Sequence, residues 1–214
     1  MPRILLPIAA LAAGAASALA FQPVGWWPLI VVALGVMCEL VARAGSLKRA
    51  LLIGWLFGLG QFVISLNWIA TAFTFQAKMP PSLGWVAVAL LSLYLAIYPA
   101  MAAGLAWRFG EKNRLALVLA LAGGWAITEW LRATMFTGFA WNPIAVSMVD
   151  SSARHLTRLI GTYGLSAVVV LLAGALWLAW YRRAVATVAI VAPVALLAAA
   201  LPSLAVWSGW TDHI

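Results

Sequence analysis

The stretch from Gly84 to Trp107, GWVAVALLSLYLAIYPAMAAGLAW, runs for 24 residues without a charge. One helix needs roughly 20 apolar residues to cross a bilayer's hydrocarbon core, which is about 30 Å thick. This segment therefore predicts a transmembrane helix. Runs of the same kind, ended by charge or by proline and glycine, recur near 4 to 20, 25 to 42, 50 to 71, 115 to 132, 159 to 181 and 184 to 207. The expected fold is all-α: a polytopic transmembrane helical bundle of about seven spans, occupying residues 1–214 as a single domain with no soluble domain.

Composition agrees with this reading. The chain is 66% apolar and 8% charged, with a mean hydropathy of +1.05, too little polar surface to clothe a water-soluble globule of this size. Its formal net charge of +8 comes from 13 Lys and Arg scattered between the apolar runs. They form no basic face and no aromatic RNA-binding pattern, which argues against nucleic acid as a partner. A single cysteine, Cys38, excludes an internal disulfide, a CxxC redox pair and a cysteine-rich metal site.

The basic residues instead orient the chain. With the N-terminus in the cytoplasm, the inside segments collect Arg3, Arg43, Lys48, Arg49, Arg108, Lys112, Arg114, Arg182 and Arg183, and the outside holds Lys78, Arg132, Arg154 and Arg158. The positive-inside rule favours that arrangement, and seven spans then leave the C-terminus on the far side. Nearly all of the 13 tryptophans lie near a proposed span end, where indole meets both the apolar core and water; Trp125 alone sits well inside a span. The first segment has two readings. Arg3, the apolar run to Ala16 and the Ala18-Leu19-Ala20 triplet suit a cleavable secretory signal as well as a first span.

Polar groups within a bilayer are costly and mark the places to look for function: here Glu39, Gln61, Asn67 and Glu129. Glu39 precedes Arg43 by one turn and Glu129 precedes Arg132 by three residues, so each pair shares a helix face and could be a structural ion pair. The third span carries a GxxxG at Gly54 and Gly58, which lets another helix backbone approach closely. Cys38 reads as inert core. His155 and His213 have no companion ligands at metal spacing, so neither a metal nor a cofactor is expected. No phosphate-binding loop, dinucleotide fingerprint or nucleophile elbow is present.

The longest polar connection follows Arg132. It reads ATMFTGFAWNP from Ala133 to Pro143, and continues to Asp150 and His155. Phe136, Phe139 and Trp141 suit a membrane interface, Gly138 and Pro143 bend the chain, and Asp150 is placed to N-cap a short helix through its carboxylate. Two readings fit: a lipid-facing rim, or an interfacial re-entrant loop with only a packing role.

Several strings, in order, resemble one family, the bacterial apolipoprotein N-acyltransferases. They are Leu19-Ala20-Phe21-x-Pro23 with Trp27-Pro28; the run from Gly54 through Phe62 to Asn67-Trp68-Ile69; Thr128-Glu129-Trp130-Leu131-Arg132 continuing to Phe136 and Trp141; and Gly161 to Ser166. Ala140 stands where that family usually has proline, and the stretch after Trp141 lacks a common glycine. The resemblance covers essentially the whole chain and favours an uncleaved first helix. It implies a bacterial inner-membrane, multi-pass protein of lipoprotein biosynthesis. It also implies an acyltransferase that moves an acyl chain from a membrane phospholipid through a cysteine thioester to the N-terminal amine of a diacylglyceryl lipoprotein.

In that family a nitrilase-like domain outside the membrane supplies a Glu-Lys-Cys triad. No residue of this chain maps onto the triad: Lys78 is the lone outside lysine and Cys38 lies toward the cytoplasmic side. No catalytic residue is therefore expected here, and the chain alone is expected to be inactive. The implied role is to hold lipid substrates and dock the catalytic domain or subunit. Glu129, Arg132, Phe139, Trp141 and Asn142 are expected at the rim, with Asn67, Trp68 and Tyr163 behind them and Arg132 facing a lipid phosphate. The rival readings are a lipid-binding or transport bundle without acyl transfer, in which Gln61 is the main polar candidate, and a degenerate remnant.

Overall fold

The structure, a computed structural model, describes residues 5–75, 80, 82–136 and 138–181. The run near 184 to 207 lies outside the described residues, as do Arg3, Lys78, Arg182, Arg183 and His213. Among the described residues eight α-helices follow one another: α1 (Leu5–Ser17), α2 (Pro28–Ala42), α3 (Leu47–Ser65), α4 (Asn67–Thr74), α5 (Ser82–Leu95), α6 (Ile97–Gly110), α7 (Arg114–Thr134) and α8 (Thr157–Trp180). Short 3-10 turns lie at Ala18–Ala20, Ile144–Met148 and Ser152–Leu156, and no strand occurs among the described residues.

Local chemistry sets several of these boundaries. Pro28 opens α2, where its missing N–H costs nothing. Ser46 accepts from the Arg49 N–H to cap α3, and Asn113 accepts from the Leu115 and Ala116 N–H groups to cap α7. Among the described residues four helical stretches are long and apolar enough to cross a membrane: Leu47–Thr74, Ser82–Gly110, Arg114–Thr134 and Ser152–Trp180. Leu5–Ala20 and Pro28–Ala42 are shorter apolar helices. All six fall on apolar runs of the sequence.

Three of the expected helices are broken, one of them α8 at Gly161. The run near 50 to 71 divides at Leu66, whose φ of −103° and ψ of 10° end α3 before α4 restarts at Asn67. The run from 84 to 107 divides at Ala96, one residue before α6 begins. Pro99 accounts for that break, because it has no N–H and its ring crowds the carbonyl of Leu95. Leu66 and Leu95 are both fully buried in a small cluster with Phe62 and Tyr98, so these two breaks face each other across the bundle.

The main core joins α1, α2, α3, α6, α7 and α8 around Leu34, Met37, Ile53, Phe57, Leu121 and Val170. α1 packs on α3, α3 on α6, α6 on α7 and α7 on α8, while α2 lies against α1 and α8. The Gly54 and Gly58 pair serves contact inside the chain. A Cβ at Gly54 would stand 2.5 Å from the Pro99 carbonyl oxygen, and one at Gly58 would stand 2.9 Å from Pro99 Cγ. Cys38 is fully buried in the same core.

At the end of the bundle away from the 135–156 loop, Glu39 pairs with Arg43 as its spacing suggests. It also accepts from Trp177 Nε1 at 2.8 Å and Tyr181 OH at 2.7 Å, contacts that tie α2 to α8. Arg114 stacks beside them, its guanidinium carbon 3.7 Å from the Tyr181 ring centre.

Candidate functional site

The last three turns of α7 place Trp125, Thr128, Glu129 and Arg132 on one buried face, at helical spacings of three and four. Trp125 Nε1 donates to Glu129 Oε1 at 3.0 Å, a bond within one turn. The chain then leaves the helix through residues with positive φ: Phe136 at 56°, Gly138 at 75° and Asn142 at 51°. The Phe139 N–H returns to the Arg132 carbonyl at 2.8 Å, folding the loop back over the end of α7.

Pro143 leads into the short turn Ile144–Met148, whose first N–H groups have no partner of their own within the turn. Two side chains from the bundle supply the acceptors. Glu129 Oε1 takes the Ile144 N–H at 2.8 Å and Ser166 Oγ takes the Ala145 N–H at 3.0 Å. An unpaired buried amide would cost ~1–3 kcal/mol, so α7 and α8 together hold this loop in place. Arg132 adds a contact from beneath, Nη2 donating to the Asn142 carbonyl at 3.4 Å, with its guanidinium carbon 5.1 Å from the Phe62 ring centre.

This differs from the expected arrangement in three ways. Glu129 and Arg132 do not form a direct ion pair; among the described residues the one such pair is Arg43 with Glu39. Both side chains are buried, at 5% and 3% exposure, so they lie under the loop and not on an exposed rim. Asp150 does not cap the turn Ser152–Leu156, whose N-cap is Ser151 without a side-chain bond. Its carboxylate instead accepts from Gln22 Nε2, clasping the loop to the turn after α1.

Above the buried pair lies a groove of about 1000 Å³. Its walls are the turn after α1 at Phe21 and Val24, the α3–α4 break at Asn67 and Trp68, the loop at Trp141, Asn142 and Val146, and the start of α8 at Tyr163. Trp68 and Trp141 meet across it with ring centres 5.3 Å apart. Both rings are about half exposed. At the α8 end Gly161 adopts φ 71° and ψ 175°, a conformation that glycine takes readily and that breaks the helix where the groove needs width.

Of the expected site residues, Asn67, Trp68, Trp141, Asn142 and Tyr163 line this one groove. Glu129 and Arg132 line a small buried cavity under it, which Asn142 also touches. Phe139 is separate, facing a third cavity of about 320 Å³ with Leu91, Tyr94 and Phe136. Ser166, Phe21 and Val24 belong to the site and were not among the expected site residues, although Phe21 lies in the Leu19–Pro23 string. Ser166 did fall within the Gly161–Ser166 string, but nothing in that string indicates which amide it accepts. Among the described residues no three His, Cys, Asp or Glu side chains come together to hold a metal.

The arrangement offers an apolar, tryptophan-walled groove with a few amide and hydroxyl groups at its edge, suited to an acyl chain with a polar end. Comparison with known proteins agrees with the motifs quoted above. The model of the apolipoprotein N-acyltransferase N-terminal domain matches residues 13–175. The chain is similar to an apolipoprotein N-acyltransferase of Ralstonia nicotianae, 35% identical over 99% of this chain and 40% of that protein. It is likewise similar to those of Vibrio parahaemolyticus, 33% identical over 92% and 39%, and of Nitrosomonas europaea, 34% identical over 80% and 34%. The chain thus spans about two-fifths or less of the length of these relatives. By sequence, and over the stretch of its N-terminal domain, the chain belongs to the apolipoprotein N-acyltransferase family.

Proposed function

We propose that this chain is the membrane domain of a phospholipid:apolipoprotein N-acyltransferase acting in bacterial lipoprotein maturation. In this reading it crosses the inner membrane about seven times, with its N-terminus in the cytoplasm and the 135–156 loop on the periplasmic side. The groove between Trp68 and Trp141 holds the acyl chains of a phospholipid donor, or of the diacylglyceryl lipoprotein acceptor. The surface around it docks a nitrilase-like catalytic domain, which supplies the nucleophilic chemistry.

The observation that carries the reading is the groove itself, because it gathers Asn67, Trp68, Trp141, Asn142 and Tyr163 from three separate parts of the chain. A second feature supports the membrane setting: Ile8, Val32, Leu90, Ile127 and Leu159 point outward at more than half exposure, a surface suited to lipid rather than water. The transport reading fares less well. Its main candidate, Gln61, is 2% exposed and borders a cavity of about 10 Å³, far smaller than a lipid or other substrate.

A reconstituted enzyme that includes the nitrilase-like domain tests the reading. Trp141→Ala is expected to raise KM for the phospholipid roughly tenfold, equivalent to ~1.4 kcal/mol of lost binding, with Trp141→Phe restoring most of it. An unchanged KM in the alanine variant would remove Trp141 from the lipid site.

A further inference from the structure

Beneath the groove, a knot of buried polar side chains lacks hydrogen-bond partners in a particular pattern. Gln61 on α3 and Glu129 and Arg132 on α7 are 2%, 5% and 3% exposed. Each keeps one buried polar atom unpaired: Gln61 Oε1, Glu129 Oε2 and Arg132 Nη1. All three residues line the same cavity of about 10 Å³, close to the ~10–15 Å³ that one water molecule needs.

The chemistry of the unpaired atoms selects the occupant. A carboxylate oxygen and an amide oxygen only accept, and a guanidinium nitrogen only donates. An anion would satisfy Arg132 but face two oxygens, and a metal cation would suit the oxygens but face Arg132. Water carries two donors and can accept, which matches two acceptors and one donor. We propose that one ordered water occupies this cavity, donating to Gln61 Oε1 and Glu129 Oε2 and accepting from Arg132 Nη1.

Gln61 is then a positioning residue for the loop above it. It touches no loop amide, but through the water it steadies the carboxylate whose other oxygen holds the Ile144 N–H. Arg132, fixed from the same water, reaches the Asn142 carbonyl. The chain of contacts runs from α3 through the water and α7 to the segment next to Trp141. This inference rests on the buried geometry and stands whether or not the groove binds lipid.

Two measurements on the chain in lipid nanodiscs test it. A structure at a resolution that shows waters, about 2 Å, should contain one peak at hydrogen-bond distance, ~2.7–3.2 Å, from all three unpaired atoms. A dry cavity, or a Gln61 amide nitrogen placed directly on Glu129, would overturn the proposal. In hydrogen–deuterium exchange, Gln61→Leu should speed exchange of the Ile144 amide about tenfold, with Gln61→Glu closer to wild type because it keeps an acceptor. Exchange unchanged by Gln61→Leu would also overturn it, and should that variant fail to fold, the water peak decides alone.

Discussion

Replacing Glu129 by leucine is expected to destabilise the folded chain by about 3–5 kcal/mol, the usual cost of removing one partner from a buried charged network. For a chain of this size that corresponds to a fall in melting temperature on the order of 10 °C. The substitution removes the acceptor of both the Trp125 indole and the Ile144 amide at one stroke. It also leaves the guanidinium of Arg132 buried without the carboxylate three residues before it. Glu129→Gln should cost less, since its amide oxygen can still accept both hydrogen bonds. Thermal unfolding in a single detergent or nanodisc preparation, wild type beside both variants, checks this. A loss below ~1 kcal/mol for the leucine variant would mean that the loop is held by other contacts.

Gly54→Leu is expected to cost at least as much, for a different reason. A Cβ at this position would lie 2.5 Å from the Pro99 carbonyl oxygen and 2.8 Å from Ala100 Cα, both backbone atoms of α6. Backbone cannot turn aside as a side chain does, so α3 and α6 would have to separate along the whole contact. Ordinary overpacking costs ~1–3 kcal/mol, and a clash between two helix backbones exceeds that range. The expected result is little or no folded protein by size-exclusion chromatography. Gly123→Leu is the control, because a Cβ there meets nothing within 4 Å, and it should purify like wild type. Equal yields of the two variants would contradict the packing described for α3 and α6.

The helices were legible in the sequence because the cost of unpaired backbone in lipid makes long apolar runs distinctive. The run near 115 to 132 became Arg114–Thr134, and that near 159 to 181 ends at Trp180. The breaks were harder to read. Pro99 was visible in its run, whereas nothing around Leu66 announces a change of backbone at that residue. The Glu39–Arg43 pair follows from local spacing and formed; the Glu129–Arg132 spacing looks equivalent and did not produce a direct pair.

Distant partners reach every one of these carboxylates, and Glu39 keeps Arg43 while also accepting from Trp177 and Tyr181, 138 and 142 residues away. Glu129 is claimed by an amide 15 residues away, and Asp150 by Gln22 at a separation of 128 residues. Contacts at such distances depend on how the helices pack, which periodicity and spacing do not encode. The groove shows the same limit. Trp68 and Trp141 were each recognisable as interfacial aromatics, but their meeting at 5.3 Å comes from the bend at Leu66 and the loop's return over α7.

Whether the groove between Trp68 and Trp141 holds the acyl chain of a phospholipid is read by photo-crosslinking. The chain is placed in nanodiscs with a phospholipid bearing a photoactivatable group on its acyl chain, and the adducts are mapped by mass spectrometry. Adducts are expected to concentrate at Ile64–Trp68, Trp141–Val146 and Gly161–Tyr163, to saturate with probe and to be competed by unlabelled phospholipid. Adducts spread evenly over the outward-facing helices, with none in the groove, would contradict it.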